Sequence, residues 1–195
     1  MARPVAIKDQ LDDAAIHLFA AKGVDATSIK DIAEAAGVSQ GALYRHYKTK
    51  DEMADRLFVS RYLMLAEHLD ILRTEAGSLP QALGAMVGAF CALFDDNEPL
   101  FRFLLLSQHR HLAAVPAGAR TPVEVIADTL QDAMAAGHIP AGPPDLKAAA
   151  VMGIVLQTAT FHVYGRLTGG LKPLAPSLTA ACLAAARAPA KPTEA

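Results

Sequence analysis

The chain has no tryptophan, only two cysteines and few aromatics, 6% of its 195 residues. Charge is sparse too, at 19%. The cysteines, Cys91 and Cys182, lie far apart in apolar runs, which excludes a disulfide-stapled scaffold and a cysteine metal site at ordinary ligand spacing. They are read as buried reduced thiols. With 18 Lys/Arg against 20 Asp/Glu, the formal net charge is −2. So small a total supplies no bulk electrostatic attraction to nucleic acid, membrane surfaces or acidic ligands. Period-two alternation of β-branched residues is missing over any useful length, which argues against a sheet. No run of apolar residues is comfortably long enough for a membrane span. The longest uncharged stretch, Ala148 to Gly165, is interrupted by Gln157, Thr158, Thr160 and His162 and is explained by a buried helix. Charges enter the N-terminal stretch before any apolar run, so no secretory signal is read, and a soluble, cytoplasmic protein is expected.

What the chain does have is alanine, roughly a fifth of all residues, and a hydrophobic fraction of 52%. Those favour a folded, all-α protein over a disordered one. Gly and Pro punctuation at Gly23, Gly37, Gly77 to Pro80, Asn97 to Pro99, Val115 to Pro122, Gly137 to Pro144 and Gly169 to Pro176 divides it into about nine helices. The first carries Ile7, Leu11, Ala14, Ala15, Leu18 and Phe19 at i, i+4, i+7, i+8, i+11 and i+12, one apolar stripe. Later segments are expected at 79–94, 97–112, 119–136, 144–168 and 175–187, followed by a flexible tail over 189–195.

Between Thr27 and Tyr44 the residues read as two short helices joined by a tight turn. Ser28 with Asp31 matches a capping box. Gly37 can take positive φ at the turn. Val38 and Leu43 pack the angle between the helices, and Ser39 is an N-cap for the second. This leaves Gln40, Gly41, Tyr44, Arg45 and, just beyond, Lys48 facing outward. Gln40 can pair bidentately with adenine and Arg45 with guanine or a phosphate. Tyr44, His46, Tyr47, Lys48 and Lys50 can hold phosphates. Residues 41–50 hold three Lys/Arg, one His and no acid, so positive charge is local although the total is negative. Thr49 to Glu52 forms a further capping box opening a long helix, 51–75.

The run Ala15 to Gly23, then Thr27 to Ala33, then Ala36 to Glu52 resembles the TetR family of bacterial transcriptional regulators, over about residues 7–58. The resemblance implies an N-terminal three-helix helix-turn-helix DNA-binding domain, 1–50, followed by a larger helical effector-binding and dimerisation domain, 51–188. It implies a homodimer on a near-palindromic duplex operator, with the heads about 34 Å apart. Helix 27–36 and recognition helix 40–46 would do the reading. Residues matching Thr27, Ser28, Ser39, Gln40, Gly41, Tyr44, Arg45, His46 and Lys50 then lie at the DNA. Tyr44 and Lys50 serve as backbone anchors, and Gln40 and Arg45 as base readers. Arg3 is either a minor-groove arm or a mobile terminal residue.

In the larger domain, Tyr62, Met86, Phe90, Phe94, Phe101, Leu105, Gln157 and Phe161 are the expected lining of a mostly apolar pocket for a small apolar or amphipathic effector. A plain packed core is the competing reading. The resemblance also implies a dimer interface built by the last two helices, with Ala149, Gly153, Leu178, Ala181, Cys182 and Ala185 as candidates. Catalytic residues, metal ligands and cofactors are not expected: no two histidines sit at i, i+4, and no phosphate loop or serine elbow is present. Two alternatives stay open, an effector-independent regulator and a helical enzyme or carrier with a fortuitous helix-turn-helix.

Overall fold

Helix ends follow the breakers and caps closely. In a computed structural model, described over residues 4–189 with side chains from Ile7, the chain forms α1 (Pro4–Lys22), α2 (Ile29–Ala35), α3 (Gln40–Tyr44), α4 (Lys50–Glu75), α5 (Leu79–Asp96), α6 (Glu98–His111), α7 (Pro122–Ala135), α8 (Pro144–Val163) and α9 (Ala175–Arg187). Single 3₁₀ turns follow α6 and precede α9. No strand occurs among the described residues. Arg3 and residues 190–195, which held the expected arm and most of the tail, lie outside the described residues. α8 stops short of the expected 168, because Tyr164 caps it and Gly165 turns at φ +69°.

Contacts divide the chain into two compact units whose limits do not coincide with the expected boundary at residue 50. One unit runs to Tyr62 and resumes over Glu98–Ala119; the other takes Leu63–Asn97 and the chain from Arg120 onward. The physical reason is burial. A head of about 50 residues hides too little apolar surface by itself, and α6 supplies what is missing. Phe103 is fully buried, with its ring centroid 5.7 Å from Phe19 of α1 and 6.4 Å, edge-on, from Phe58 of α4. Tyr62 stacks on Phe58 at 5.2 Å. The end of α6 is tied down by charge: Arg110 donates to Asp25 at 2.5 Å and to Asp51 at 3.1 Å, and buried His111 donates through Nδ1 to Asp55 at 2.6 Å.

In the second unit, α5 and α7 send Leu83, Met86, Val87, Phe90, Val125, Ile126 and Leu130 inward. α8 adds Val151, Val155 and Ala159, and α9 adds Leu178, Cys182 and Ala186. Burial pushes the Cys182 thiol up to about 11, with neighbouring Cys91 adding to the shift. Cys91 is raised by burial as well. Both thiols are free and buried.

Lys147 is an exception in this apolar setting. It is only 4% exposed, and its ammonium donates to the carbonyls of Ala186 at 2.7 Å and Ala188 at 2.9 Å. The last carbonyls of a helix lack partners within it, and the negative end of the helix dipole attracts a cation. Lys147 therefore closes α9 from α8. Lys147→Met fills the same space but cannot donate. It is expected to cost about 2–3 kcal/mol, read as a lower melting midpoint, while Lys147→Arg recovers part of the loss.

Candidate DNA-reading face and apolar cavity

The turn between α2 and α3 is built by local bonds. Ser28 Oγ accepts from the Asp31 amide at 3.1 Å while the Asp31 carboxylate accepts from the Ser28 amide at 3.0 Å. Lys22 also reaches Asp31, at 2.6 Å. The ammonium, then the Ser28 donors, hold that carboxyl down at about 2. α2 ends in paired bonds from Gly37 to Glu34 and from Val38 to Ala33, which need the positive φ of Gly37, +66°. Ser39 then opens α3, its hydroxyl accepting from the Ala42 amide at 3.2 Å. Leu43 is fully buried and fastens α3 to the head. Thr49 accepts from the Glu52 amide, but the Glu52 carboxylate reaches the Lys48 amide at 2.9 Å, one residue beyond the expected box.

On the outer side Gln40, Gly41, Tyr44, Arg45 and Lys48 are all exposed, Tyr44 by 54%. The side chains of Gln40, Tyr44, Arg45 and Lys48 have no hydrogen-bond or ion-pair partner among the described residues, whereas Lys8, Lys22, Lys30, Arg56 and Arg110 in the same unit are all paired. Gly41 is informative. A Cβ there would meet only Ser39 Oγ at 3.8 Å, an ordinary contact, so nothing within the chain requires a bare backbone at that point. His46 is half-buried. Lys50 spends its ammonium on the Asp25 carbonyl at 3.1 Å.

Two expected DNA contacts turn inward instead. Thr27 is 2% exposed and donates its hydroxyl to the Gly23 carbonyl at 2.8 Å, so it shapes the loop before α2. Tyr47 is 1% exposed, with its hydroxyl on Asp12. Ser28 and Ser39 are exposed, but their hydroxyls accept cap bonds.

The eight expected pocket residues are not brought together. The second unit encloses a cavity of about 20 Å³ lined only by apolar side chains: Leu83, Met86, Val87 and Phe90 of α5, Ile126 of α7, and Val151, Met152, Val155 and Leu156 of α8. Of the eight, Met86 and Phe90 line it. Phe94 is buried nearby in sequence and meets His162 edge-on at 5.3 Å. Tyr62, Phe101 and Leu105 belong to the first unit. Gln157 and Phe161 lie on the exposed side of α8, Phe161 by 40%. The buried side of α8 follows the i, i+4 row Lys147, Val151, Val155 and Ala159, of which Val151 and Val155 reach the cavity. The expected Gln157 and Phe161 sit about half a turn away.

The expected interface residues divide as well. Ala149, Gly153 and Ala181 are exposed and Ala185 is half-buried. Leu178 and Cys182 are 8% and 0% exposed and face their own core. They form an i, i+4 row with Ala186, and that row holds α9 to the unit. The uncovered side of α9 is Ser177, Ala180, Ala181 and Ala184. α8 is equally bare along Leu146, Ala149, Gly153, Gln157, Phe161 and Tyr164. It is the one described helix long and apolar enough to cross a membrane, with only 28% of that window buried.

A capped helix, a glycine turn and a second capped helix presenting unpaired polar side chains form a helix-turn-helix. Residues 12–57 match the sequence profile "Bacterial regulatory proteins, tetR family". The HTH-type transcriptional repressor KstR2 of Mycolicibacterium smegmatis is 31% identical over 93 residues, 47% of this chain and 45% of that protein. The match thus spans less than half of the relative's length. Beyond the head the likeness is one of fold. The fatty acid degradation regulator FadR from Bacillus halodurans superposes with a TM-score of 0.81 at 19% identity, covering 91% of this chain and 94% of that one. FadR from Bacillus subtilis, in complex with stearoyl-CoA, gives 0.76 at 19% identity, covering 91% and 98%.

Proposed function

We propose that the chain is a transcriptional repressor of the bacterial cytoplasm that binds a near-palindromic duplex operator as a homodimer and is released by a small apolar or amphipathic effector. The observation that carries the reading is the exposed set Gln40, Tyr44, Arg45 and Lys48, left unpaired in a unit whose other cations are mostly paired. Direct bonds from Gln40 and Arg45 to base edges would specify sequence, while Tyr44 and Lys48 would hold phosphates. No enzymatic role is assigned.

A second copy is the occupant we assign to the bare side of α8 and α9. Two such helices from each protomer would bury small residues against small residues about a two-fold axis. Gly153 and Ala149 permit the close approach, and Gln157 supplies a polar group that a lipid-facing helix would lack.

For the effector, the support is the all-apolar cavity with Met86 and Met152 in its walls, side chains that repack readily. One structural neighbour carries an acyl-CoA. The cavity holds little more than one water-sized sphere, so an effector would have to part α5, α7 and α8. That narrowness favours the second reading, an effector-independent regulator.

The test is selection of bound duplexes from a random library, then competition against random DNA. Specific binding should weaken steeply with salt, as phosphate contacts require. Stearoyl-CoA that raises the melting temperature and releases the DNA supports the effector reading. No response to any acyl-CoA leaves a constitutive repressor, and no specific duplex at low salt removes the whole proposal.

A further inference from the structure

α3 has five residues and one buried side chain, Leu43. Too short to hold its own direction, it depends on what grips its two ends. Ser39 grips the first. The second is held by Tyr47, which follows the helix and is buried in the head. Its hydroxyl donates to Asp12 Oδ1 on α1 at 2.6 Å, and Lys8, one turn earlier on α1, donates to Asp12 Oδ2 at 2.5 Å. Asp12 is 4% exposed. From α4, Arg56 lies 4.9 Å over the Tyr47 ring and donates to the His46 carbonyl at 3.1 Å. Burial, then the hydrogen bond to Asp12, raises the Tyr47 hydroxyl above its ordinary value, so it stays a donor at neutral pH.

A buried carboxylate is a poor way to stabilise a core, since apolar residues of similar volume usually do as well or better. What it adds is direction. A charge-assisted O–H···O⁻ bond fixes the angle of the Tyr47 ring, which a phenylalanine in the same slot could rock or slide through. Tyr47 lies three residues after Tyr44 and two after Arg45, so its angle sets where those side chains point.

We infer that the Tyr47–Asp12–Lys8 network is a positioning device for the recognition helix, acting on sequence discrimination and touching no DNA itself. Tyr47 and Asp12 are positioning residues in this assignment, which rests on the proposed DNA-binding reading. Loss of the hydroxyl leaves the phosphate anchors Tyr44 and Lys48 in the sequence but lets the base readers wander. Specific binding should therefore fall while non-specific binding stays.

The test uses the full chain, the duplex that wild type enriches from a random library, and a random-sequence duplex pool of equal length at the same salt. Tyr47→Phe removes one oxygen and keeps the ring. It is expected to lower the ratio of specific to random affinity at least ten-fold, with random-pool affinity within two-fold of wild type. Asp12→Asn keeps an oxygen that can accept from Tyr47 and should stay within about three-fold of the wild-type ratio. The double variant Asp12→Leu/Tyr47→Phe replaces the network by apolar groups. It should melt close to wild type while its ratio stays low, an outcome that a merely structural role would not produce. A Tyr47→Phe ratio within two-fold of wild type overturns the inference, as does a parallel loss of both affinities. If wild type itself enriches no duplex, the DNA-binding reading fails first.

Discussion

Gly153→Arg is expected to convert the proposed dimer to a monomer without unfolding the protomer. Gly153 sits in the middle of α8, exposed, and a Cβ added there meets nothing within 4 Å. The protomer alone therefore has no use for glycine, which costs a helix interior roughly 0.5–1 kcal/mol relative to alanine. Gly153→Ala should accordingly raise the melting temperature of a monomer slightly. An arginine there places two guanidinium groups near a two-fold axis among Ala149, Gln157 and the alanines of α9. Buried like charges cost several kcal/mol and have no partner to offset them. Light scattering should give one chain mass, 20.5 kDa, in place of twice that value. Operator affinity should fall about 10²–10⁴-fold, the avidity lost when two linked heads become independent. A Gly153→Arg protein that stays dimeric shows that this face is not the interface.

The second large effect belongs to the reading face. Arg45→Ala is expected to cost about 1–3 kcal/mol at each half-site, which compounds over a dimer. Because the Arg45 side chain has no partner within the described chain, thermal stability should not move, which separates lost recognition from lost fold. Gln40→Ala should chiefly relax sequence preference at one position. Tyr44→Ala should weaken all duplexes alike, and Lys48→Ala should reduce the salt slope by about one per head. Competition binding at two salt concentrations resolves all four. Equal affinity of wild type and Arg45→Ala for the selected duplex would remove Arg45 from the interface.

Both predictions depend on features of different legibility. The reading face rests on neighbours in sequence: the Ser28–Asp31 box, Gly37 at the turn and Ser39 opening α3 all act within four residues. Gln40, Tyr44 and Arg45 follow from them by helical spacing, and Lys48 lies in the turn just beyond. Gly153 as an uncovered small residue was legible in type, though Leu178 and Cys182 were assigned to the same face and lie in the core. Helix period tells which residues share a side, not which of two apolar sides meets the rest of the protein. On α9, with six alanines among its 13 residues, the two sides look alike.

The same limit explains the pocket. Gln157 and Phe161 are the chemically distinctive residues of an apolar helix, yet the inward row is the plainer Val151 and Val155. Thr27 and Tyr47 carry hydroxyls suited to phosphates. They are withdrawn by the Gly23 carbonyl, four residues away, and by Asp12, thirty-five residues away.

Local patterns along the chain are enough for the all-α class, the helix ends set by caps and glycines, and the polar face after Ser39, because backbone hydrogen bonds and caps are satisfied locally. Tertiary structure alone decided that α6 completes the head through Phe103, Arg110 and His111. It also decided that Asp12 and Tyr47 meet, that Lys147 closes α9, and which sides of α8 and α9 stay bare. Each of these pairs residues far apart along the chain, and such pairings are chosen by the burial of the whole molecule, which no local pattern encodes.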